Sequence, residues 1–387
     1  MDFALNEEQR MLREASQRFC QRELTREYVR WLDENKDYPP DELWKKIADF
    51  GLFRSNIPAE YGGQGLGMLD LVIAFEPICK ASSSVALAVG TSLGFGNRFL
   101  SVLGTEAQKM EYLPRLGDGR IKTCMALTEP AGGTDILGAL STFAEDGGDR
   151  WVLNGQKVFI TGAHVADYLI TICKTERDQK PSRSLSVLLV PSDTPGITIR
   201  KIPKMSCKAC AAAEIFFEDV AVPRENLLGT RGNGWNELLD VLNPERVVVS
   251  AMGVGLMEAV YEEACAYALQ RQAFGGPIAR FQILQHYLAD MCVNLENARN
   301  LTYKAAWLCD QGRPYHMEAT MAKLVSAQGA WHAVTYGAEI LGGYGICNEF
   351  PMQRYLRDAA QGAFSPISNE MSKNMLMQFQ GFPKSWV

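Results

Sequence analysis

The sequence predicts an α+β protein in three successive parts: a helical part over 1–120, a β-barrel-like part over 121–235, and a helical bundle over 236–387. Three observations predict it. Apolar residues recur at three- and four-residue spacing up to about 120, alternate at strand spacing after about 121, and return to long helical spacing from about 236. Strands do not alternate with helices along the chain, which excludes a doubly wound sheet. A Rossmann glycine fingerprint is absent, as are internal repeats and low-complexity linkers.

In the first part, Asn6 followed three residues later by Gln9 is a capping-box pattern opening a helix through Met11, Leu12, Ala15 and Phe19. A second helix starts at Asp41 and stops at Gly51. Pro58–Gly65 is a glycine-rich loop, and helical spacing returns through Leu69–Cys79 and Gly104–Leu116. In the middle part, Trp151–Ile160 reads as two strands about an Asn154-Gly155 turn. Tyr168–Lys174, Leu185–Val190 and Glu214–Phe217 are further strands, separated by Gly, Pro, Asp and Ser. In the last part, Val247–Gln270, Gln282–Cys309 and Met317–Leu341 are long helices. Asn243 and Pro244 have the residue types of an N-cap and a first helical position, and set a helix start there.

Composition narrows the function. Lys+Arg 39 against Asp+Glu 45 gives a net charge of −6 over 387 residues, which argues against nucleic acid as a partner. Continuous apolar stretches fall short of the ~18–20 residues of a membrane span, and the acidic start Met1–Glu8 is unlike a signal peptide. The expectation is a cytoplasmic protein without a membrane partner. Ten scattered cysteines do not form a disulfide scaffold. Cys207 and Cys210 have the spacing of half a zinc site, but without a second pair they read as buried reduced thiols, and no metal site is expected.

Two segments carry chemistry. Ala126–Gly138 (ALTEPAGGTDILG) combines adjacent glycines, which allow close backbone approach to a ligand, with threonine hydroxyls that can donate to a phosphate or a ring carbonyl. It could equally be a plain connecting loop. Glu339–Ile346 (EILGGYGI), followed by Glu349, Arg354 and Asp358, is either a ligand contact or a C-capped helix end with a solvated charged face.

Both segments resemble the two signature stretches of the flavin-dependent acyl-CoA dehydrogenase family, and Tyr61-Gly62-Gly63 and Phe159-Ile160-Thr161 resemble further landmarks. The resemblance spans essentially the whole chain. It implies the acyl-CoA dehydrogenase fold, FAD as cofactor, an acyl-CoA substrate, an electron-transferring flavoprotein as electron acceptor, and a homotetramer. It also implies roles for residues. Met125, Leu127, Thr128, Gly133, Thr134, Phe159 and Thr161 match positions at the flavin and its pyrophosphate. Arg271, Phe274, Gln282, Glu339, Gly342 and Gly343 match contacts to the FAD of a neighbouring subunit, with Glu339 standing where many members have Gln. Ser368 and Glu370 match further FAD positions. Ser182, Asn243 and Arg246 match contacts to the acyl-CoA.

The implied reaction is α,β-desaturation of an acyl thioester: a carboxylate removes the α-proton and the β-hydrogen leaves as hydride. The usual base position in the family coincides with Pro366, in Ser365-Pro366-Ile367-Ser368, which offers neither a carboxylate nor an N–H for the thioester oxygen. Isovaleryl- and long-chain-type members place the base before an arginine on another helix, matching Glu245 before Arg246. Glu245 is thus the expected catalytic residue. A merely helix-stabilising Glu245, or Glu370 as base, stays open. The altered Pro366 segment also keeps open an enoyl-CoA reductase, an acyl or aminoacyl oxidase acting on carrier-bound groups, and a non-enzymatic flavin scaffold. His164, His286, His316 and His332 match no family role.

Overall fold

A computed structural model describes residues 4–384. Seven helices come first: α1 Glu7–Glu23, α2 Arg26–Asn35, α3 Asp41–Asp49, α4 Met68–Ala81, α5 Ser83–Gly90, α6 Asn97–Leu103 and α7 Glu106–Gly117. The capping box forms as its residues dictate. Asn6 Oδ1 accepts from Gln9 N–H at 2.8 Å, and Gln9 Oε1 accepts from Asn6 N–H at 3.2 Å. A π-helical stretch at Thr91–Gly96 joins α5 to α6. The run Ser83–Leu103 is long and apolar enough to cross a membrane by length and composition, but it lies mostly buried among its neighbours, as befits a core helix of a folded domain.

The middle part holds β1 Thr123–Ala126, the short α8 Ile136–Ala139, β2 Phe143–Asp146, β3 Arg150–Thr161, β4 Tyr168–Lys174, β5 Leu185–Pro191, β6 Ile197–Ile202, β7 Ala212–Pro223 and β8 Leu227–Leu228. They make one eight-stranded sheet in the order β6-β7-β3-β2-β4-β5-β8, with β1 beside β4. The pairs β1–β4 and β2–β4 are parallel and the rest antiparallel.

The expected turn at Asn154-Gly155 is not there. Residues 150–161 form one strand that pairs with β7 along most of its length, and the register shifts between Leu153 and Gly155 as a bulge. Gly155 has φ 146°, and a Cβ there would lie 2.5 Å from Thr142 Oγ1. Asn154 binds across the ladder instead of turning the chain. Its Nδ2 donates to Asp219 Oδ1 at 3.0 Å, and its Oδ1 accepts from Asp219 N–H at 2.8 Å.

The last part consists of α9 Gly234–Gln270, the small hairpin β9 Gln272–Ala273 and β10 Gly276–Pro277, α10 Gln282–Asp310, α11 His316–Leu341, α12 Met352–Ala359 and α13 Asn369–Phe379. Here the expected helix start at Asn243-Pro244 is overturned. The helix begins at Gly234 and runs for 37 residues through Pro244. Proline removes the N–H that would reach the Asp240 carbonyl. Leu238 and Val241 before it and Val247 and Ala251 after it are fully buried, so packing holds the helix on both sides. Asn243 caps nothing; its Nδ2 donates back to the Leu239 carbonyl at 3.0 Å.

One core joins α4 (Leu71, Phe75, Ile78) to α9 (Val247, Val248, Ala251) and to α10 (Ala305, Ala306). A second joins the sheet (Ile170, Val187, Leu189) to α7 (Leu113, Leu116) and to the start of α9 (Leu238, Val241). Residue 245 therefore lies where all three parts meet.

Candidate active site

The flavin-side residues are assembled around β1 and β3. Lys157 points inward from β3, fully buried, and its Nζ donates to the Leu127 carbonyl at 2.9 Å and to Glu129 Oε1 at 2.8 Å. Glu129 also accepts from Thr142 N–H at 2.9 Å, and from the N–H and hydroxyl of Ser141, each at 2.6 Å. Burial would raise the Glu129 carboxyl, but the Lys157 ammonium and these hydrogen bonds hold it down at about 2. Burial lowers the Lys157 ammonium, against the pull of Glu129. This buried clamp fixes the segment after β1 onto β3. Val158 N–H then donates to the Thr128 carbonyl at 2.9 Å, setting Leu127 and Thr128 beside Phe159 and Thr161. Met125 lies on β1, half-buried. Gly133 and Thr134 stand exposed on the loop that leads into α8.

Phe159 adopts φ 59° and is 66% exposed, an outlying conformation for an aromatic residue. Its ring is held out beside threonine hydroxyls and a glycine-rich loop, which fits a planar, partly apolar group with a phosphate-bearing tail. The residues expected at the flavin therefore suit FAD.

A second set lies at the other end of α9. Arg271, Phe274 and Gln282 occupy the turn between α9 and α10, and Phe274, with φ 51°, is 95% exposed. Glu339, Gly342 and Gly343 end α11 nearby. Tyr267 of α9 faces Tyr344, their ring centroids 6.4 Å apart, which joins the two helix ends. Glu339 is exposed, and its carboxylate pushes the Tyr287 hydroxyl up. Cβ atoms at Gly342 and Gly343 would meet open space. From Glu245 to Arg271 is 26 residues, about 39 Å along a helix. Arg271 therefore stands far from Glu245 along the helix axis.

The expected base lies inside α9. Glu245 is 7% exposed, and its Oε2 has no hydrogen-bond partner. Burial pushes its carboxyl up to about 8, against the lowering effect of Arg246. The dipole of a helix N-terminus plays no part, because Glu245 sits three turns inside α9. Arg246, also buried, donates to Asn243 Oδ1 and lies against the Met375 sulfur of α13 at 4.0 Å. Ser182 is half-buried in the turn between β4 and β5. Ser368 caps α13, its Oγ accepting from Met371 N–H at 3.1 Å, with Glu370 exposed in the first turn.

Three positioning residues escaped the sequence reading as site residues. Glu129 and Lys157 form the clamp. Lys323 of α11 is 1% exposed, and its Nζ donates to the Gly362 carbonyl at 3.0 Å and to Asn369 Oδ1 at 2.9 Å. It pins both ends of the segment that carries Pro366. The available signal was a lysine inside an apolar run, as in Lys157-Val158-Phe159-Ile160. The Cys207 and Cys210 side chains are buried, and burial pushes both thiols up, Cys210 to about 12. The Cys207 N–H donates to Asp358 at 2.6 Å.

Comparison with known proteins identifies the family and the fold. The N-terminal, middle and C-terminal domain models of acyl-CoA dehydrogenase match residues 6–120, 124–220 and 232–377. The short-chain specific mitochondrial acyl-CoA dehydrogenase of Rattus norvegicus is 37% identical over 358 residues, covering 92% of this chain and 85% of that protein. The butyryl-CoA dehydrogenase structure from Megasphaera elsdenii superposes with TM-score 0.93 at 31% identity, covering 99% of this chain and 100% of that one. The prolyl acyl carrier protein oxidase AnaB superposes with TM-score 0.92 at 30% identity, covering 98% and 100%. By sequence and fold, the chain belongs to the acyl-CoA dehydrogenase family, the FAD-dependent oxidoreductases of acyl-CoA thioesters.

Proposed function

We propose that this enzyme desaturates an acyl-CoA thioester between its α- and β-carbons, with Glu245 as the base. The observation that carries the assignment is a buried carboxylate with an unpartnered oxygen, raised to about 8, at the junction of the three parts. A carboxyl in that state is basic enough to take a weakly acidic α-proton. The Arg246 guanidinium beside it pulls the Glu245 carboxyl down against burial, so part of the anionic form survives. Ser182, Asn243 and Arg246 hold the substrate, and the Ile367 N–H serves the thioester oxygen in place of the one that Pro366 lacks. Bound FAD supplies the acceptor for the β-hydrogen. Met125, Leu127, Thr128, Gly133, Thr134, Phe159, Thr161, Ser368 and Glu370 hold it from one chain, and Arg271, Phe274, Gln282, Glu339, Gly342 and Gly343 from a neighbour. The span of about 39 Å from Glu245 to Arg271 along α9 supports a homotetramer, in which a neighbour's helix end reaches the site. An electron-transferring flavoprotein as acceptor and a cytoplasmic location complete the reading.

The test is Glu245→Gln. Loss of ~10³-fold in kcat with FAD content unchanged is expected; a loss below tenfold sinks the assignment. A second reading is favoured by the likeness to the prolyl acyl carrier protein oxidase and by the altered Pro366 segment: the thioester carrier is then a protein. Turnover of carrier-bound groups, with none on CoA thioesters, would select it.

A further inference from the structure

All ten cysteines are free thiols, and the register of two helices brings a pair of them face to face. The helices α9 and α10 pack against each other across Val260, Ala264, Met291 and Leu295. The short connection Arg271–Phe281 turns the chain back, so they run antiparallel. Glu258 of α9 and Arg299 of α10 fix the register with an ion pair at 2.5 Å. Cys265 follows Glu258 by seven residues, and Cys292 precedes Arg299 by seven. Seven residues are two turns, which return a side chain to the same face of its helix. Two turns up α9 and two turns back along α10 therefore set Cys265 opposite Cys292.

A second observation agrees. Tyr261 lies one turn before Cys265 on the same stripe, and burial together with both thiols pushes its hydroxyl up to about 12. Burial pushes the Cys265 thiol up, the Tyr261 hydroxyl pulls it down, and Cys292 raises it again. The two sulfurs thus share one hydroxyl. Both cysteines are half-buried, whereas Cys207 and Cys210 are fully enclosed. Helices packed about 8–10 Å apart hold directly facing Cα atoms about 5 Å apart, inside the range of about 4.4–6.8 Å that a disulfide spans. Among the described residues no third His, Cys, Asp or Glu completes a metal site here.

We propose that Cys265 and Cys292 form a redox modification site, which a peroxide converts to a reversible disulfide stapling α9 to α10. One thiolate attacks the peroxide O–O bond and becomes a sulfenic acid, releasing water. The second sulfur then attacks the sulfenic sulfur, the S–S bond forms, and the hydroxyl leaves as a second water with the proton of the second thiol. Two thiols lose two electrons and two protons, and hydrogen peroxide is reduced to two waters. In a reducing compartment such a bond is transient and sensing in character. The segment it encloses carries Arg271, Phe274 and Gln282, so the staple restrains the turn at the far end of α9 without touching Glu245.

The test exposes the full-length FAD-loaded protein to a small excess of hydrogen peroxide, blocks remaining thiols with iodoacetamide and maps tryptic peptides without reduction. The expected result is a Cys265–Cys292 cross-link, with two of the ten thiols lost and both recovered by dithiothreitol. The oxidised protein should melt about 4 °C above the reduced one, the effect of closing a loop of this length. Cys265→Ser and Cys292→Ser should each abolish the cross-link and the shift, with FAD content and the reduced melting temperature unchanged. Loss of thiols first at Cys207, Cys210 or any other pair overturns the proposal. So do sulfenic or sulfinic acids at Cys265 or Cys292 without a cross-link, or a cross-link formed only in urea. A native cross-link that leaves the melting temperature where it was overturns the restraint on the turn.

Discussion

At the scale of single residues, Glu245 is where function and stability oppose each other. A carboxyl raised to about 8 by burial keeps its proton in the folded chain while the unfolded chain releases it near 4.5. The folded state is therefore favoured most below about 4.5, loses stability as pH rises to about 8, and changes no further above that. Glu245→Gln removes this dependence. Thermal melts should show the variant gaining on the wild type between pH 5 and pH 8, by a few degrees at the upper end, while its activity collapses. The same ionisation governs catalysis with the opposite benefit. The kcat/KM of the wild type should rise with pH through about 8, because only the anion accepts the α-proton. A profile flat from pH 6 to 9 would assign the proton to another group. Arg246 belongs to this balance too: its charge lowers Glu245, so Arg246→Gln should move the kinetic pKa upward besides weakening substrate binding.

Among the elements, the segment after β1 depends on one buried ion pair. Glu129 and Lys157 are 4% and 0% exposed, and removing one partner strands the other charge in the core. Lys157→Met should cost ~3–5 kcal/mol of stability, and it should also release Leu127 and Thr128 from Phe159, so that flavin content on purification falls. A variant with full flavin content and an unchanged melting temperature would contradict the clamp. The acid limb has the sign opposite to that of Glu245. With Glu129 held at about 2, its contribution is present above about 4.5 and is lost as pH falls toward 2. Longer elements behave differently. The helix α9 tolerates Pro244 in its interior because apolar residues on both sides are packed against two cores, which outweighs one missing backbone hydrogen bond.

For the whole molecule, the proposed assembly gives the Arg271–Gly343 set its role. Phe274→Asp should yield smaller, FAD-poor particles in sedimentation, although Phe274 lies about 40 Å from Glu245 along α9; a fully loaded oligomer would show that this end faces solvent. The sequence made much of this legible. Periodicity marked α4, α7, β4, β5, α10 and α11 to within a few residues, since each buries one face or stripe and its pattern is local. The family resemblance pointed to Glu245 and to Pro366 at the usual base position, because a proline in place of a carboxylate can be read without coordinates. Other signals misled for physical reasons. Asn154-Gly155 has turn chemistry but is overridden by pairing with β7 on both sides of a bulge, and Asn243-Pro244 has cap chemistry but is overridden by burial on either side. The short strands β1, β2 and β6 were not picked out, β1 and β2 spanning only four residues each. By itself, then, the sequence determined the order of helical and β parts, the family and the identity of the candidate base. Only the tertiary structure decided that Glu245 is buried with one oxygen unpartnered and that Lys157 and Lys323 act as internal pins. Burial and pairing depend on residues far apart in the chain, and no local pattern encodes how closely they approach.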